Sequence, residues 1–278
     1  MYLKNAIVIV KVFDALLHYY KNIWPRDLVN FYICSPLDFH AQTMNWDCGY
    51  RNMQTILSCY LNHDSKIRDQ LFSCGIFLIP TIVELQKKIE YAWIKGFDQV
   101  GGMQLEYTLI GTSKWIGATE VVAMFRSSRI RACIADFDFT TGQCDLNSMV
   151  QIIWEYFQSR CKNNNLQSKF QKLSESNFVA PLYLQHQGHS RLVVGVEKWI
   201  NGDIKLLILD PQVKKFSLYF QKDYDEDIIL RQGNNARDLN TKCKYQVGYL
   251  SEKSLYYDEK ENARVIVDEL RHPKLKFF

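Results

Sequence analysis

One cysteine, two histidines and an aspartate in this chain are of the types that nucleophilic catalysis needs. Cys48 stands in the run Asn45-Trp46-Asp47-Cys48-Gly49-Tyr50-Arg51-Asn52-Met53-Gln54. Tyr50, Met53, Ile56, Leu57, Tyr60 and Leu61 then fall at helical spacing, and Asp47 is a good N-cap. Cys48 is therefore expected in the first turn of a helix, where unpaired backbone N–H groups and the helix dipole favour an anion. A thiolate is such an anion, and its pKa falls in that setting. Free cysteines also serve as small buried apolar residues, so this stretch alone leaves both roles open.

A nucleophilic thiol needs a base, and the base needs a third group to fix its orientation. The segment Gln185-His186-Gln187-Gly188-His189-Ser190-Arg191 offers two of the six histidines. His189 opens an apolar stretch, while His186 is a rival that could equally be a satisfied structural residue. Asp210 closes Leu206-Leu207-Ile208-Leu209 ahead of Pro211 and is the natural third member, although an acid ending a strand is commonly a cap. The geometry raises an objection. Asn201-Gly202 is a strong hairpin signal, and a two-residue turn there pairs Ile200 with Asp203 and sets Asp210 opposite Val193. At about 3.3 Å per residue, the four residues from Val193 back to His189 exceed any hydrogen bond. Either the turn is longer, a bulge shifts the register, or Asp210 is not the partner.

The elements that must hold these residues follow from the hydrophobic period. Residues from Pro25 to about 44 read as a loop-rich approach to the cysteine helix, which ends near Asn62-His63-Asp64. Ile82, Leu85, Ile89 and Trp93 predict a helix over 81–95 that stops at Gly96, and residues 96–102 read as a glycine-rich turn without nucleotide-loop spacing. Trp115 to Val121 leads into a helix, Arg129 to Phe139 alternates as a strand, and Asp145 caps a helix through Phe157. Cys161 to Asn177 is a polar connection. Beyond Val179 the period becomes two, with strands at 181–186, 191–199, 205–210 and 245–250 and an exposed excursion over 222–244. Helices first and strands later give an α+β fold with a mainly antiparallel sheet.

Composition sets further bounds. The chain has 278 residues, 47% of them apolar, which suffices for a large core. Its net charge of +4, from 34 basic and 30 acidic residues without long runs, gives no sign of nucleic-acid binding. Eight scattered cysteines form no C-x-x-C pair or zinc spacing, so neither a metal nor a cofactor is expected. The same scatter fits a reduced intracellular setting. Ala6 to Leu17 is apolar but interrupted by Lys11 and Asp14, too short and charged to span a membrane. It reads as a partly buried N-terminal element or as an arm that meets a partner.

Three stretches together resemble the catalytic domain of the ZUFSP family of ubiquitin-specific cysteine proteases. They are Trp46-Asp47-Cys48-Gly49-Tyr50-Arg51-Asn52, Trp115-Ile116-Gly117-Ala118-Thr119-Glu120-Val121, and Leu184 to Arg191 followed by Leu209-Asp210-Pro211. The match covers roughly residues 40 to 250. It implies a papain-like fold, with Cys48 as nucleophile, His189 rather than His186 as general base, and Asp210 as its orienting acid. Proteases of the ubiquitin-fold modifier carry their histidine directly after Asp-Pro, where this chain has Gln212, and this favours the ubiquitin-directed branch. Asp47 replaces the family's usual glycine and is expected to push the Cys48 pKa upward. The larger members also carry zinc fingers and ubiquitin-binding helices, which this sequence does not contain.

The resemblance implies further site residues. Gln42 matches the glutamine that papain-like enzymes use in the oxyanion hole, beside the Cys48 N–H. Ubiquitin's tail brings arginines and then two glycines; Asp98 and Glu120 would take the arginines, and Trp46 and Trp115 would wall a narrow channel. Each has a plainer role as turn aspartate, first-turn glutamate or core tryptophan. The implied partner is ubiquitin or polyubiquitin, in the cytoplasm or nucleus. The implied organisation is an N-terminal segment over 1–30, packed on the domain or touching ubiquitin, and a protease domain over 31–278. The alternatives are a protease for another ubiquitin-like modifier and a non-catalytic ubiquitin-binding module.

Overall fold

A computed structural model describes residues 8–9, 26–63, 66–161, 178–212, 229–233 and 243–254. The expectations for most of the Ala6–Leu17 stretch, nearly all of the 161–177 connection, most of the 222–244 excursion and the last residues lie outside these.

Helix α1, Cys48–Leu61, is the axis of the fold, and every residue from Cys48 to Tyr60 is buried. Burial on all sides means that its polar side chains need partners within the protein, and they have them. Thr55 Oγ1 accepts from His40 N, Ser58 Oγ accepts from Asp38 N, and Gln54 Nε2 donates to Pro80 O at 2.7 Å. Fully buried Tyr50, Met53 and Leu57 each contribute roughly 1.5–3 kcal/mol of apolar transfer energy. The approach to α1 differs from the expected loop. It contains strands β2 (Leu28–Ile33) and β3 (Phe39–His40), and Val8–Ile9 (β1) pairs with β3. In β2, Phe31, Tyr32 and Ile33 are all buried, so no period of two marks it.

A short helix α2, Lys66–Ser73, precedes α3, Ile82–Ile94, whose capping box joins Thr81 and Glu84. The expected glycine-rich turn is largely helix α4, Gln99–Gln104. Asp98 initiates it by accepting the Gly101 N–H at 3.1 Å, and Gly102 lets Tyr107 and Trp93 approach the helix backbone. Helix α5, Ala118–Ser127, leads to β4, Ile130–Asp138. Helix α6, Leu146–Arg160, is capped by Asp145 as expected and runs one turn further.

The remaining strands are β5 (Leu182–His186), β6 (His189–Trp199), β7 (Ile204–Leu209), β8 (Ile229–Gly233) and β9 (Lys244–Ser254). They join β4 and β2 in a seven-stranded sheet of order β4-β9-β5-β6-β7-β8, with β2 also on β6, and every pairing is antiparallel. Strand β6 carries β5 along its first half and β2 along its second. Helix α1 packs on β6, α5 on β4, and α6 on β7, β6 and β2. The start of β6 thus faces the start of α1.

Candidate active site

Register brings the acid to the histidine. Near the hairpin, Lys198 faces Ile204 and Gly195 faces Leu207; beyond a bulge, Val193 faces Ile208 and Leu192 faces Leu209. The Trp199 N–H bonds Asp203 O at 2.9 Å, so the turn has three residues, 200–202, rather than two. The longer turn shifts the register by one residue and the bulge at Val194 by another. Continued past Leu209, this register sets Asp210 opposite Arg191, on the same face as His189 and two residues away.

Asp210 accordingly sits between three donors. Its Oδ1 is 2.8 Å from His189 Nε2 and accepts the Gln212 N–H at 2.9 Å. Its Oδ2 accepts from Arg191 Nε at 2.7 Å. With Nε2 engaged, Nδ1 is the ring nitrogen of His189 left to face the Cys48 thiol, with which the histidine interacts. The rival His186 is turned into other contacts: its Nδ1 is 2.9 Å from Gln187 O and its ring packs on Tyr245.

Cys48 begins α1, as expected, and is 5% exposed. Burial opposes its ionisation, but interactions with His189 and with the Ser190 hydroxyl and backbone outweigh it, so its pKa lies below the ordinary thiol value. Burial likewise disfavours the His189 imidazolium, yet Asp210 and Cys48 overcome this and push its pKa up to about 9. Asp210 resists burial through His189, Gln212 and Arg191, and its carboxyl is held down at about 2. The opposed shifts of Cys48 and His189 favour a thiolate–imidazolium pair.

Asp47 departs from expectation. It occupies the N-cap position but its side chain caps nothing. Instead Oδ2 accepts from Arg51 Nε at 3.1 Å and from Thr43 Oγ1 at 3.0 Å, and Oδ1 accepts from Met44 N at 3.2 Å. This buried ion pair staples the 43–47 loop to α1. The carboxylate is neutralised by Arg51, and the net shift of Cys48 is downward rather than upward.

The other expected residues fall into two groups, one against the segments that carry the triad and one at Gly101. The Gln42 N–H donates to the carbonyl of Pro211 at 2.6 Å, tying it beside Asp210, while its Oε1 is buried without a partner. Trp46 packs edge-on to Tyr50. Trp115, 48% exposed, lies over Gly188, whose φ of 87° only glycine adopts readily. Beside it, Ile116 crosses Gly49 so closely that a Cβ there would come within 2.6 Å. Asp98 and Glu120 form the second group, 3% and 5% exposed, meeting at Gly101 where a Cβ would strike both carboxylates. Glu120 Oε2 accepts the Gly117 N–H at 2.7 Å, whereas Asp98 Oδ2 is unpartnered. Burial raises both pKa values.

Ser190, Asn52 and Arg191 reach this site without having been singled out. The signal was available for Arg191, which shares the His189 face of a strand at a spacing of two. Among the described residues no group of three or more His, Cys, Asp or Glu could hold a metal, and no helix is long and apolar enough to cross a membrane.

A helix-borne thiol set against a histidine at the start of an antiparallel strand, in an α+β fold, is the layout of the papain-like cysteine peptidases. The chain belongs to peptidase family C78, whose family model matches residues 28–248. It is 39% identical over 204 residues to human zinc finger-containing ubiquitin peptidase 1, covering 72% of this chain and 33% of that protein. It is 32% identical over 166 residues to the fission yeast ubiquitin carboxyl-terminal hydrolase mug105, covering 60% of this chain and 59% of that one. The chain thus spans about a third of the length of the human relative. The crystal structure of UfSP from C. elegans superimposes with a TM-score of 0.51 at 13% identity, over 91% of this chain and 38% of that one, a likeness of fold. The resemblance to the ZUFSP family and the papain-like fold expected from the sequence are both borne out.

Proposed function

We propose that this protein is a deubiquitinating cysteine protease that hydrolyses the peptide or isopeptide bond after the C-terminal glycine of ubiquitin. The observation that carries the reading is the convergence of Cys48, His189 and Asp210, whose mutual interactions depress the thiol and raise the imidazole. The names of the relatives supply the modifier.

In the first half-reaction the Cys48 thiolate attacks the glycine carbonyl carbon. The oxyanion takes hydrogen bonds from the Cys48 N–H and the Gln42 side chain. Collapse breaks the C–N bond as His189 gives its proton to the departing lysine amine, leaving a thioester and a neutral imidazole. In the second half-reaction His189 removes a proton from water, the resulting hydroxide attacks the thioester, and the C–S bond breaks to return the thiolate and free ubiquitin. Asp210 stabilises the imidazolium throughout, and Arg191 and the Gln212 N–H hold Asp210 in place.

Substrate selection follows from the same surroundings. Trp46, next to Cys48 in sequence, and Trp115, over Gly188, are the candidate walls for the two glycines, on segments that Gly49 lets pack together at Ile116. Asp98 and Glu120, two buried carboxylates with one unpartnered oxygen, form an anionic socket for the preceding arginines. The proposed division into an N-terminal segment over 1–30 and a protease domain over 31–278 is supported at Val8–Ile9, which pairs with Phe39–His40, while its boundary falls within strand β2. Eight free thiols fit action in the cytoplasm or nucleus.

The test is covalent trapping by a ubiquitin probe with a C-terminal electrophile, compared with Cys48→Ala and with a probe built on the ubiquitin-fold modifier. A Cys48-dependent adduct with ubiquitin is expected. An adduct with the other modifier alone transfers the enzyme to that substrate, and no adduct with either leaves a non-catalytic module.

A further inference from the structure

Gln42 donates to the oxyanion in the reaction above, yet it lies on the loop between β3 and α1, and a loop must be held before a donor on it is preorganised. Its backbone is fixed on both sides. On one, the Gln42 N–H donates to Pro211 O at 2.6 Å, which ties it to the residue after Asp210. On the other stands Thr43, where three side chains meet. Thr43 Oγ1 donates to Asp47 Oδ2 at 3.0 Å and accepts from Arg51 Nη2 at 3.0 Å. The Thr43 N–H donates to the same Asp47 oxygen at 3.3 Å.

This network leaves the loop little freedom. The Thr43 hydroxyl gives its proton to a carboxylate and takes one from a guanidinium, so both of its bonds are charge-assisted. Arg51 divides its donors, with Nε on Asp47 Oδ2 at 3.1 Å, Nη1 on Gln54 Oε1 at 2.9 Å and Nη2 on Thr43. Gln54 Nε2 in turn donates to Pro80 O at 2.7 Å. Asp47 and Arg51 are buried and flank Cys48 at the start of α1. The loop that carries Gln42 is therefore anchored to the helical turn that carries the nucleophile and its N–H. The Gln42 amide buries its oxygen, and its nitrogen is the end that donates.

We propose that Thr43 is a positioning residue of the oxyanion hole, setting the Gln42 side chain in place beside the Cys48 N–H through its bonds to Asp47 and Arg51. The inference rests on Gln42 being the oxyanion donor, as proposed above. Thr43 itself touches no reacting atom and moves no proton. The negative oxygen forms only beyond the ground state, so the contribution of Thr43 falls on kcat rather than KM.

The test pairs turnover with a reading of the thiol. kcat and KM are measured on a fluorogenic ubiquitin C-terminal substrate. Alkylation by iodoacetamide is followed across pH and quantified at Cys48 by peptide mass spectrometry, which separates it from the other cysteines. Gln42→Ala should lower kcat roughly a hundredfold, the loss of one oxyanion donor. Thr43→Val, which keeps the shape and removes the hydroxyl, should lower kcat roughly tenfold at unchanged KM through misplacement of that donor. Thr43→Ser should restore it, and Cys48 alkylation should be the same in all of these proteins. In the Gln42→Ala background, Thr43→Val should cost nothing more, because the group it positions is gone. An unchanged kcat in Thr43→Val, a loss that persists in full without Gln42, or a matching fall in alkylation overturns the proposal. A Gln42→Ala protein with the parent's kcat overturns it too, while a Cys48-dependent ubiquitin adduct would leave the proposed function standing. Hydrogen exchange reads the clamp without substrate: the backbone amides of residues 42–44 should exchange faster in Thr43→Val, and equal exchange overturns the proposal whether or not ubiquitin is cleaved.

Discussion

His189 Nε2 and Asp210 Oδ1 lie 2.8 Å apart across a strand pair whose register is two residues away from what a two-residue turn would give. The offset has two sources, a three-residue turn at 200–202 and the extra residue Val194. The bulge serves two partners, because the Val194 carbonyl accepts the Cys34 N–H at 2.8 Å and so fastens the end of β2 to β6. One irregularity thus continues the sheet on one edge and sets the acid against the histidine on the other.

The raised imidazole and lowered thiol fix the sign of the pH dependence. Cys48 ionises below the ordinary thiol range, and His189 keeps its proton until about pH 9. Cleavage of a fluorogenic ubiquitin C-terminal substrate should therefore rise through an acid limb set by Cys48 and fall as pH passes about 9, where the imidazolium is lost. Asp210→Asn removes the anion that holds His189 charged, so its alkaline limb should move to lower pH. kcat/KM at neutral pH should fall by roughly tenfold or more, since each unit of pKa is worth about a factor of ten. An alkaline limb that stays near pH 9 in the variant would dissociate Asp210 from the histidine.

Gly49 marks a close crossing between α1 and the Trp115-Ile116-Gly117 segment. A Cβ there would lie 2.6 Å from Ile116 Cγ1 and 2.9 Å from Ile116 O, and the backbone oxygen cannot swing aside as a side chain would. Gly49→Ala should destabilise by about 1–3 kcal/mol, the usual cost of overpacking. It should also displace the Trp115-Ile116-Gly117 segment, and adduct formation with the ubiquitin probe should slow more than alkylation by iodoacetamide. Equal slowing of both would locate the damage at Cys48 rather than in the Trp115-Ile116-Gly117 segment.

Much of this was legible because the signals are local. The stripe from Tyr50 to Leu61 and the Asp145 cap located helices α1 and α6 to within a turn. The alternation beyond Val179 gave β5 to β7, and the order of residue types around Cys48, His189 and Asp210 carried the family. What the sequence concealed depends on long-range packing. Strand β2 has no period because it is buried on consecutive residues, and α4 hides behind glycines that are there to admit Asp98, Glu120, Tyr107 and Trp93. The bulge at Val194 and the use of Asp47 as a partner of Arg51 are choices made by contacts that no spacing rule encodes.

The buried acids at Gly101 make a prediction separable from the chemistry of the thiol. Asp98 Oδ2 makes no hydrogen bond of good geometry, although the Trp93 and Glu120 side chains interact with the carboxyl, and burial pushes both carboxyl pKa values upward. Asp98→Asn should preserve the cap to Gly101 while removing charge. A hydrogen bond to a charged group is worth about 1.5–3 kcal/mol, so kcat/KM on ubiquitin should fall roughly ten- to a hundredfold, mostly through KM. Iodoacetamide alkylation of Cys48 should not change. An unaltered KM would leave Asp98 a helix cap and nothing more.

Asp47 separates stability from reactivity in the opposite sense. Its carboxylate is fully buried and spent on Arg51, Thr43 and Met44, so Asp47→Ala strands a guanidinium in the interior. Removing one member of a buried pair costs about 3–5 kcal/mol, which thermal or urea denaturation would register as a large loss. Replacing both residues, as Asp47→Ala with Arg51→Met, should recover much of that loss because no unpaired charge remains. The pH limb of Cys48 alkylation should stay within a few tenths of a unit in the double variant, since the nucleophile's ionisation is governed by His189 and Ser190. A downward shift of that limb would mean that the Asp47 charge does reach the sulfur, and that the aspartate restrains the thiol as well as holding the loop.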